Sequence, residues 1–219
     1  MTYLEELWRT PERVAQALEE PPEPMLADAG VLVFCGCGTS YYLCAQLANI
    51  ARAYGRRACA LEAVQVLEDG VGQLPEDGVF VFLSRSGASR ETVLAQERIA
   101  GAGGRCFYLG CTPNTPLARA CVGQRVIPYG QEELVLESFS SPVQLTCLAR
   151  CCALPLEHNL PELLAHALAL ARQVYTSHVR GLPLARLICL GTPFYAPMLR
   201  ELMLKNGELT GLPSEAWGI

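Results

Sequence analysis

The chain has 219 residues, enough for one good-sized domain, or a domain and part of another. With 51% hydrophobic residues and 18% charged ones it can bury a large core, which excludes a disordered segment. A net charge of −5 argues against non-specific nucleic-acid binding, which needs a basic surface, and no apolar run reaches the ~18 residues that span a bilayer.

Leu4, Leu7, Trp8, Val14 and Leu18 recur at roughly helical spacing, so residues 3–19 read as a helix. Pro21-Pro22-Glu23-Pro24 then breaks the chain and marks a linker. Val31-Leu32-Val33-Phe34-Cys35 is a short apolar run typical of a strand buried on both faces. Gly36-Cys37-Gly38-Thr39-Ser40 follows, and then a helix over 41–54. The same grammar repeats with a weaker strand at 58–63 and a strong one at 79–83. Ser84–Ser89 comes next, then a helix from about 90 to 102 that Gly103-Gly104 ends. A strand is expected at 106–109, and an edge strand at 125–128, because Pro128 cannot donate to a ladder. Helices are expected at 141–155 and 160–179, a buried strand at 187–191, and a last helix at 194–209. Strands alternating with helices imply βαβ units, a mainly parallel sheet and helices on both faces. Ligands in such sheets bind beyond the carboxyl ends of the strands, where the most polar loops of this chain fall.

Eleven cysteines, an odd count, sit largely inside apolar runs, as at Cys35, Cys44, Cys106, Cys147 and Cys189, where a thiol acts as a small hydrophobe. The sequence opens on a charged, amphipathic stretch and no secretory signal, so a reducing cytoplasm is the expected location. Cys35-x-Cys37 and Cys151-Cys152 have no second cysteine or histidine pair at zinc spacing, and no metal is expected. His158, His166 and His178 read as surface or packing residues.

Ser84-Arg85-Ser86-Gly87-Ala88-Ser89 is the most informative stretch. Three hydroxyls and a glycine lie between a buried strand and a helix N-terminus, where free N–H groups and the helix dipole favour an anion. A single serine there would be an ordinary helix cap; Ser-x-Ser-Gly-x-Ser points to phosphate. Ser89 also suits the N-cap position. Gly36-Cys37-Gly38-Thr39-Ser40 begins like a dinucleotide fingerprint, and Glu62 lies about where a ribose-binding acid would. Tyr41 stands where the third glycine belongs, which counts against a nucleotide site and favours a sugar or its phosphate.

Cys37-Gly38-Thr39-Ser40, Ser84-x-Ser86-Gly87 some 45 residues later, and Gln144-Leu145-Thr146 after a Ser-rich segment resemble a sugar isomerase (SIS) domain. The likeness covers nearly the whole chain. It is strongest to the isomerase half of glucosamine-6-phosphate synthase, with related ketose/aldose isomerases and deglycases close behind. The resemblance implies a flavodoxin-like three-layer αβα sandwich around a mainly parallel five-stranded sheet. It divides the chain into a helix and linker at 1–24, an SIS domain at 25–157, a connecting helix at 158–182, and the start of a second SIS unit at 183–219. Ser84, Arg85, Ser86 and Ser89 would hold the phosphate, with Thr39 and Ser40 beside it. Cys37 and Gly38 would line the sugar through backbone atoms, and Val135 and Glu137 match sugar-contacting positions, with Glu137 where the synthase has Ser. Lys205 and Glu208 match the family's Lys-x-x-Glu segment, which makes Glu208 the proton-transfer carboxylate; taken alone, the pair reads as a solvated helix end.

Several positions depart from the family. Pro213 replaces a histidine before Ser214-Glu215-Ala216-Trp217, Val64-Gln65 stands where a Ser-Glu pair is common, and the positions of the family's ring-opening histidine and of the synthase's C-terminal lysine are expected beyond Ile219. Two functions follow: a phosphosugar isomerase, deaminase or deglycase working through an enediol, or a non-catalytic sensor of sugar phosphates. The expected ligand is a hexose or aminohexose 6-phosphate. No cofactor, nucleic acid or membrane is expected as a partner, and the chain is expected to form at least a homodimer.

Overall fold

A computed structural model describes every residue except 1–2, 72–74, 76, 133–138 and 219. The expected first helix is two: α1 (Tyr3–Leu7) and α2 (Thr10–Leu18). Pro11 is the cause, since it has no N–H to give the Leu7 carbonyl; the Thr10 hydroxyl donates to that carbonyl instead, at 2.7 Å. A short α3 (Pro24–Ala27) closes the proline linker.

The sheet follows in regular alternation: β1 (Val31–Gly36), α4 (Thr39–Ala53), β2 (Ala58–Glu62), α5 (Ala63–Asp69), β3 (Gly78–Leu83), α6 (Arg90–Gly101), β4 (Arg105–Gly110), α7 (Pro116–Ala120) and β5 (Gly123–Val126). All five strands are parallel, in the order β2-β1-β3-β4-β5. β5 is the expected edge strand; Pro128 lies just past it, in a single turn of 3₁₀ helix, where its missing N–H costs no ladder bond. The short helices α5 and α7 were not foreseen, having too few residues to establish a period.

β1 and β3 are buried on both faces, which explains their unbroken apolar runs. Leu32, Phe34, Val79, Val81 and Phe107 face one side, against α2, α4 and α8 (Ser140–Cys151). Val33, Cys35, Phe80, Phe82 and Tyr108 face the other, against α5, α6 and α7. The result is the expected three-layer αβα architecture. Each large side chain so buried contributes roughly 1.5–3 kcal/mol. All eleven cysteines are free and none is exposed, as expected of small hydrophobes. The linker is tied to the sheet edge by Arg125, whose guanidinium meets Glu20 at 2.5 Å and Glu23 at 3.4 Å.

Beyond α8, α9 (Leu160–Val174) runs into a π-helical turn at Tyr175–Val179. Then come β6 (Leu187–Gly191), α10 (Ala196–Thr210) and β7 (Ser214–Gly218). β7 corrects the sequence reading, which left the chain without structure after the last helix. It pairs in parallel with β6, from Leu187 opposite Ser214 to Gly191 opposite Gly218, so β6-α10-β7 is a complete βαβ unit. Ser-Glu-Ala-Trp-Gly has no apolar run to announce a strand; its pairing partner makes it one.

Candidate functional site

The strand order places the site. From β1 the sheet grows through β2 on one side and through β3 on the other, which opens a crevice beyond their carboxyl ends. The loops leaving β1 and β3 are the two polar motifs, Cys37–Ser40 and Ser84–Ser89. Cys35 is level with Phe82 across the ladder, so the loops start side by side.

The Ser84–Ser89 loop is shaped by its own backbone. The Gly87 N–H donates to the Ser84 Oγ at 3.1 Å, and the Ala88 N–H to the Ser86 Oγ at 3.3 Å. Both hydroxyl oxygens act as acceptors and so keep their protons to give outward. Gly87 has φ +62°, and a Cβ there would lie 2.2 Å from the Thr115 Oγ1 and 2.6 Å from the Tyr108 hydroxyl, so glycine is required. The Arg85 carbonyl accepts the Cys111 N–H at 3.0 Å and the Thr112 hydroxyl at 3.3 Å, which pins the loop to the end of β4. Ser89 occupies the N-cap of α6, yet its side chain makes no capping bond, contrary to expectation. The first-turn N–H groups of this twelve-residue helix are thus left for a ligand.

The Cys37–Ser40 loop leads into α4, with Gly38 at its N-cap at φ +56°. Burial raises the Cys37 thiol above its ordinary value, helped by Glu91 and Glu62, so the side chain stays neutral. Ser40 is half-buried beside it. The buried Thr39 hydroxyl donates to the Glu201 Oε1 at 3.0 Å, although the two residues are 162 positions apart. Glu201 is 8% exposed. The Lys205 ammonium lies 3.7 Å from Glu201 and 2.9 Å from Glu208. A polar chain therefore runs from the first sheet's loop through Glu201 and Lys205 to Glu208 on α10. Sequence reading found Lys205 and Glu208 and missed Glu201. The i, i+4, i+7 spacing of 201, 205 and 208 on one helical face was the available signal.

Other expected residues fall elsewhere. Val135 and Glu137 lie outside the described residues. Gln144 is buried in α8, where its Nε2 donates to the Ser140 carbonyl at 3.2 Å. Glu62 is the N-cap of α5, paired reciprocally with Gln65, and so serves a helix rather than a ribose. His158, His166 and His178 are exposed, as expected. Among the described residues no cluster of metal-ligating side chains occurs, and no helix is long and apolar enough to cross a membrane.

Residues 25–149, more than half of the chain, match the family model of the SIS domain. The chain belongs to the SIS domain family. No curated protein matches this SIS protein in sequence. Among solved structures, a glucosamine-6-phosphate deaminase from Thermotoga maritima superposes with a TM-score of 0.79 at 21% identity, over 99% of this chain and 69% of its own. A tagatose-6-phosphate ketose/aldose isomerase from Escherichia coli gives 0.77 at 18%, over 98% of this chain and 67% of that one. The C-terminal domain of glucosamine-fructose-6-phosphate aminotransferase from Francisella tularensis gives 0.76 at 18%, over 99% and 69%. At these identities the likeness establishes the fold.

Proposed function

We propose that this SIS protein binds a hexose or aminohexose 6-phosphate in the crevice between the β1 and β3 loops and moves a proton between its C1 and C2. The observation that carries the reading is the pairing of two hydroxyl-rich turns, each leading into a helix without a side-chain cap, at the point where the strand order diverges. Ser84, Ser86, Ser89 and the α6 N–H groups hold the phosphate, with Arg85 and Ser40 beside it. Cys37 and Gly38 line the sugar, Val135 and Glu137 complete it, and Thr39 ties this loop to α10.

In the catalytic form of the reading, the Glu208 carboxylate removes the C2 proton of an open-chain aldose. The C2–H electron pair forms the C1–C2 double bond, and the carbonyl oxygen takes a proton to give the enediol. Return of a proton to C1 and loss of the O2 proton then yield the ketose. Lys205, held between Glu201 and Glu208, is the cation placed to offset charge on the enediol oxygens. A second reading, binding without turnover, is favoured by the position of His158, His166 and His178, all exposed and within the segment around α9.

The same proposal divides the chain at 24/25, 157/158 and 182/183 and places it in a reducing compartment as at least a homodimer. The outer face of the β6–β7 pair supports the last point: Ile188, Leu190 and Trp217 are more than half exposed on it, whereas parallel sheets are covered on both faces.

Melting in the presence of fructose 6-phosphate and glucosamine 6-phosphate tests the reading. A ligand at 100 times its Kd adds about 2.7 kcal/mol, a rise of roughly 5–11 °C for a chain of this size. The reading fails if no sugar phosphate shifts melting at millimolar concentration. Glu208→Gln is expected to spare that shift and abolish isomerisation; binding without turnover in the unaltered protein supports the sensor.

A further inference from the structure

None of the residues above explains a groove of about 650 Å³ between α1 and the C-terminal part of α9. Its volume lies within the roughly 300–1,000 Å³ typical of small-molecule sites. Leu7, Trp8, Leu168 and Tyr175 make its walls apolar. Two arginines, Arg172 and Arg180, line it. Arg172 lies over the Trp8 indole, 5.7 Å from the ring centroid, which orients its planar donors. Arg180 follows the π-helical turn, its N–H closing that turn on the Tyr175 carbonyl at 2.8 Å. Such turns are rare and recur at functional sites. Among the described residues neither guanidinium has a carboxylate within ion-pair distance.

Charge and polarity narrow the ligand. Two arginines against one carboxylate, Glu5, give the groove a positive excess in a chain whose net charge is −5. Of its two wall hydroxyls, Thr176 is already committed, donating to the Arg172 carbonyl at 2.8 Å, and the Tyr175 phenol is the other, so the groove offers few groups to a sugar. A guanidinium group matches a carboxylate through parallel N–H donors, and the indole and leucines match an apolar body.

We infer that this groove is a second ligand site, which takes a small apolar-bodied carboxylate held by Arg172 and Arg180 against Trp8. It shares no residue with the sugar-phosphate loops.

The chain has two tryptophans, so Trp217→Phe leaves Trp8 as the only indole reporter. Octanoate titrated into this variant is expected to change Trp8 emission saturably. Octanamide, of the same length but neutral, is expected to bind at least tenfold more weakly. Adding Arg172→Gln and Arg180→Gln should erase that preference while leaving the melting temperature nearly unchanged, since both side chains are on the surface. Fructose 6-phosphate should neither mimic nor displace octanoate. The inference is overturned by the absence of saturable emission change, by equal binding of octanoate and octanamide, by a preference that survives the double arginine change, or by displacement with fructose 6-phosphate. Failure of fructose 6-phosphate to bind at all would count against the sugar-phosphate reading and leave this one standing.

Discussion

The hydrogen bond from Thr39 to Glu201 joins the loop after β1 to the helix of the second sheet, and its strength can be measured. Thr39→Val keeps the branched shape and removes the hydroxyl. A hydrogen bond to a charged group is worth about 1.5–3 kcal/mol, and a buried carboxylate left without its donor loses that much. Burial of both partners places the expected loss in that range, and Lys205 at 3.7 Å keeps the remaining charge from being stranded. The corresponding fall in Tm is roughly 3–12 °C. Glu201→Met keeps the length of the side chain and removes the acceptor. A double-mutant cycle of Thr39→Val and Glu201→Met, followed by urea unfolding, isolates the pair and is expected to return a coupling of about 1–2 kcal/mol. The variants should also lose affinity for fructose 6-phosphate together, because the loop that lines the sugar is no longer anchored. A coupling below about 0.5 kcal/mol, the limit for independent sites, would refute the link and with it the idea that α10 positions this loop.

Gly87→Ala forces a left-handed backbone on a residue with a Cβ and drives that atom into Thr115 and Tyr108. The expected loss is about 2–5 kcal/mol by urea unfolding, and a loss under about 1 kcal/mol would mean that the loop is not held this way. Ser84→Ala with Ser86→Ala should cost only about 1–2 kcal/mol of stability yet abolish the thermal shift with sugar phosphates; a surviving shift moves the anion site elsewhere. Stability should also fall in alkali. Burial pushes the Cys35 thiol up to about 12 and the Cys106 thiol up to about 11, against an ordinary value of 9.0. Between pH 9 and 11 the unfolded chain releases protons that the folded one keeps, so stability declines as pH rises, by up to roughly 1.4 kcal/mol per thiol per pH unit. A melting temperature that stays level from pH 8.5 to 10.5 would contradict this.

Much of the fold was legible because burial on both faces leaves a local mark. The apolar runs at 31–35 and 79–83 are the central strands β1 and β3. The polar segments after them could be read as anion-binding turns, since their hydroxyls and glycines are contiguous in the chain. Errors arose where local pattern is weak or misleading. Pro11 splits a helix whose apolar spacing runs straight through it, and Ser89 sits at a cap without capping. Glu62, at the chain distance of a ribose-binding acid but set aside with the nucleotide reading, is half of a helix cap.

By itself the sequence determined the alternation of strands and helices, the two-faced burial of the sheet, and the chemistry of each loop, because these depend on residues within one element or one turn. Which loops meet was decided by the tertiary structure. The order β2-β1-β3-β4-β5 brings Cys37–Ser40 beside Ser84–Ser89, and strand order is a matter of long-range pairing that no periodicity records. The same holds for β7, which is a strand because β6 lies beside it, and for Glu201, whose role depends on a hydroxyl 162 residues away.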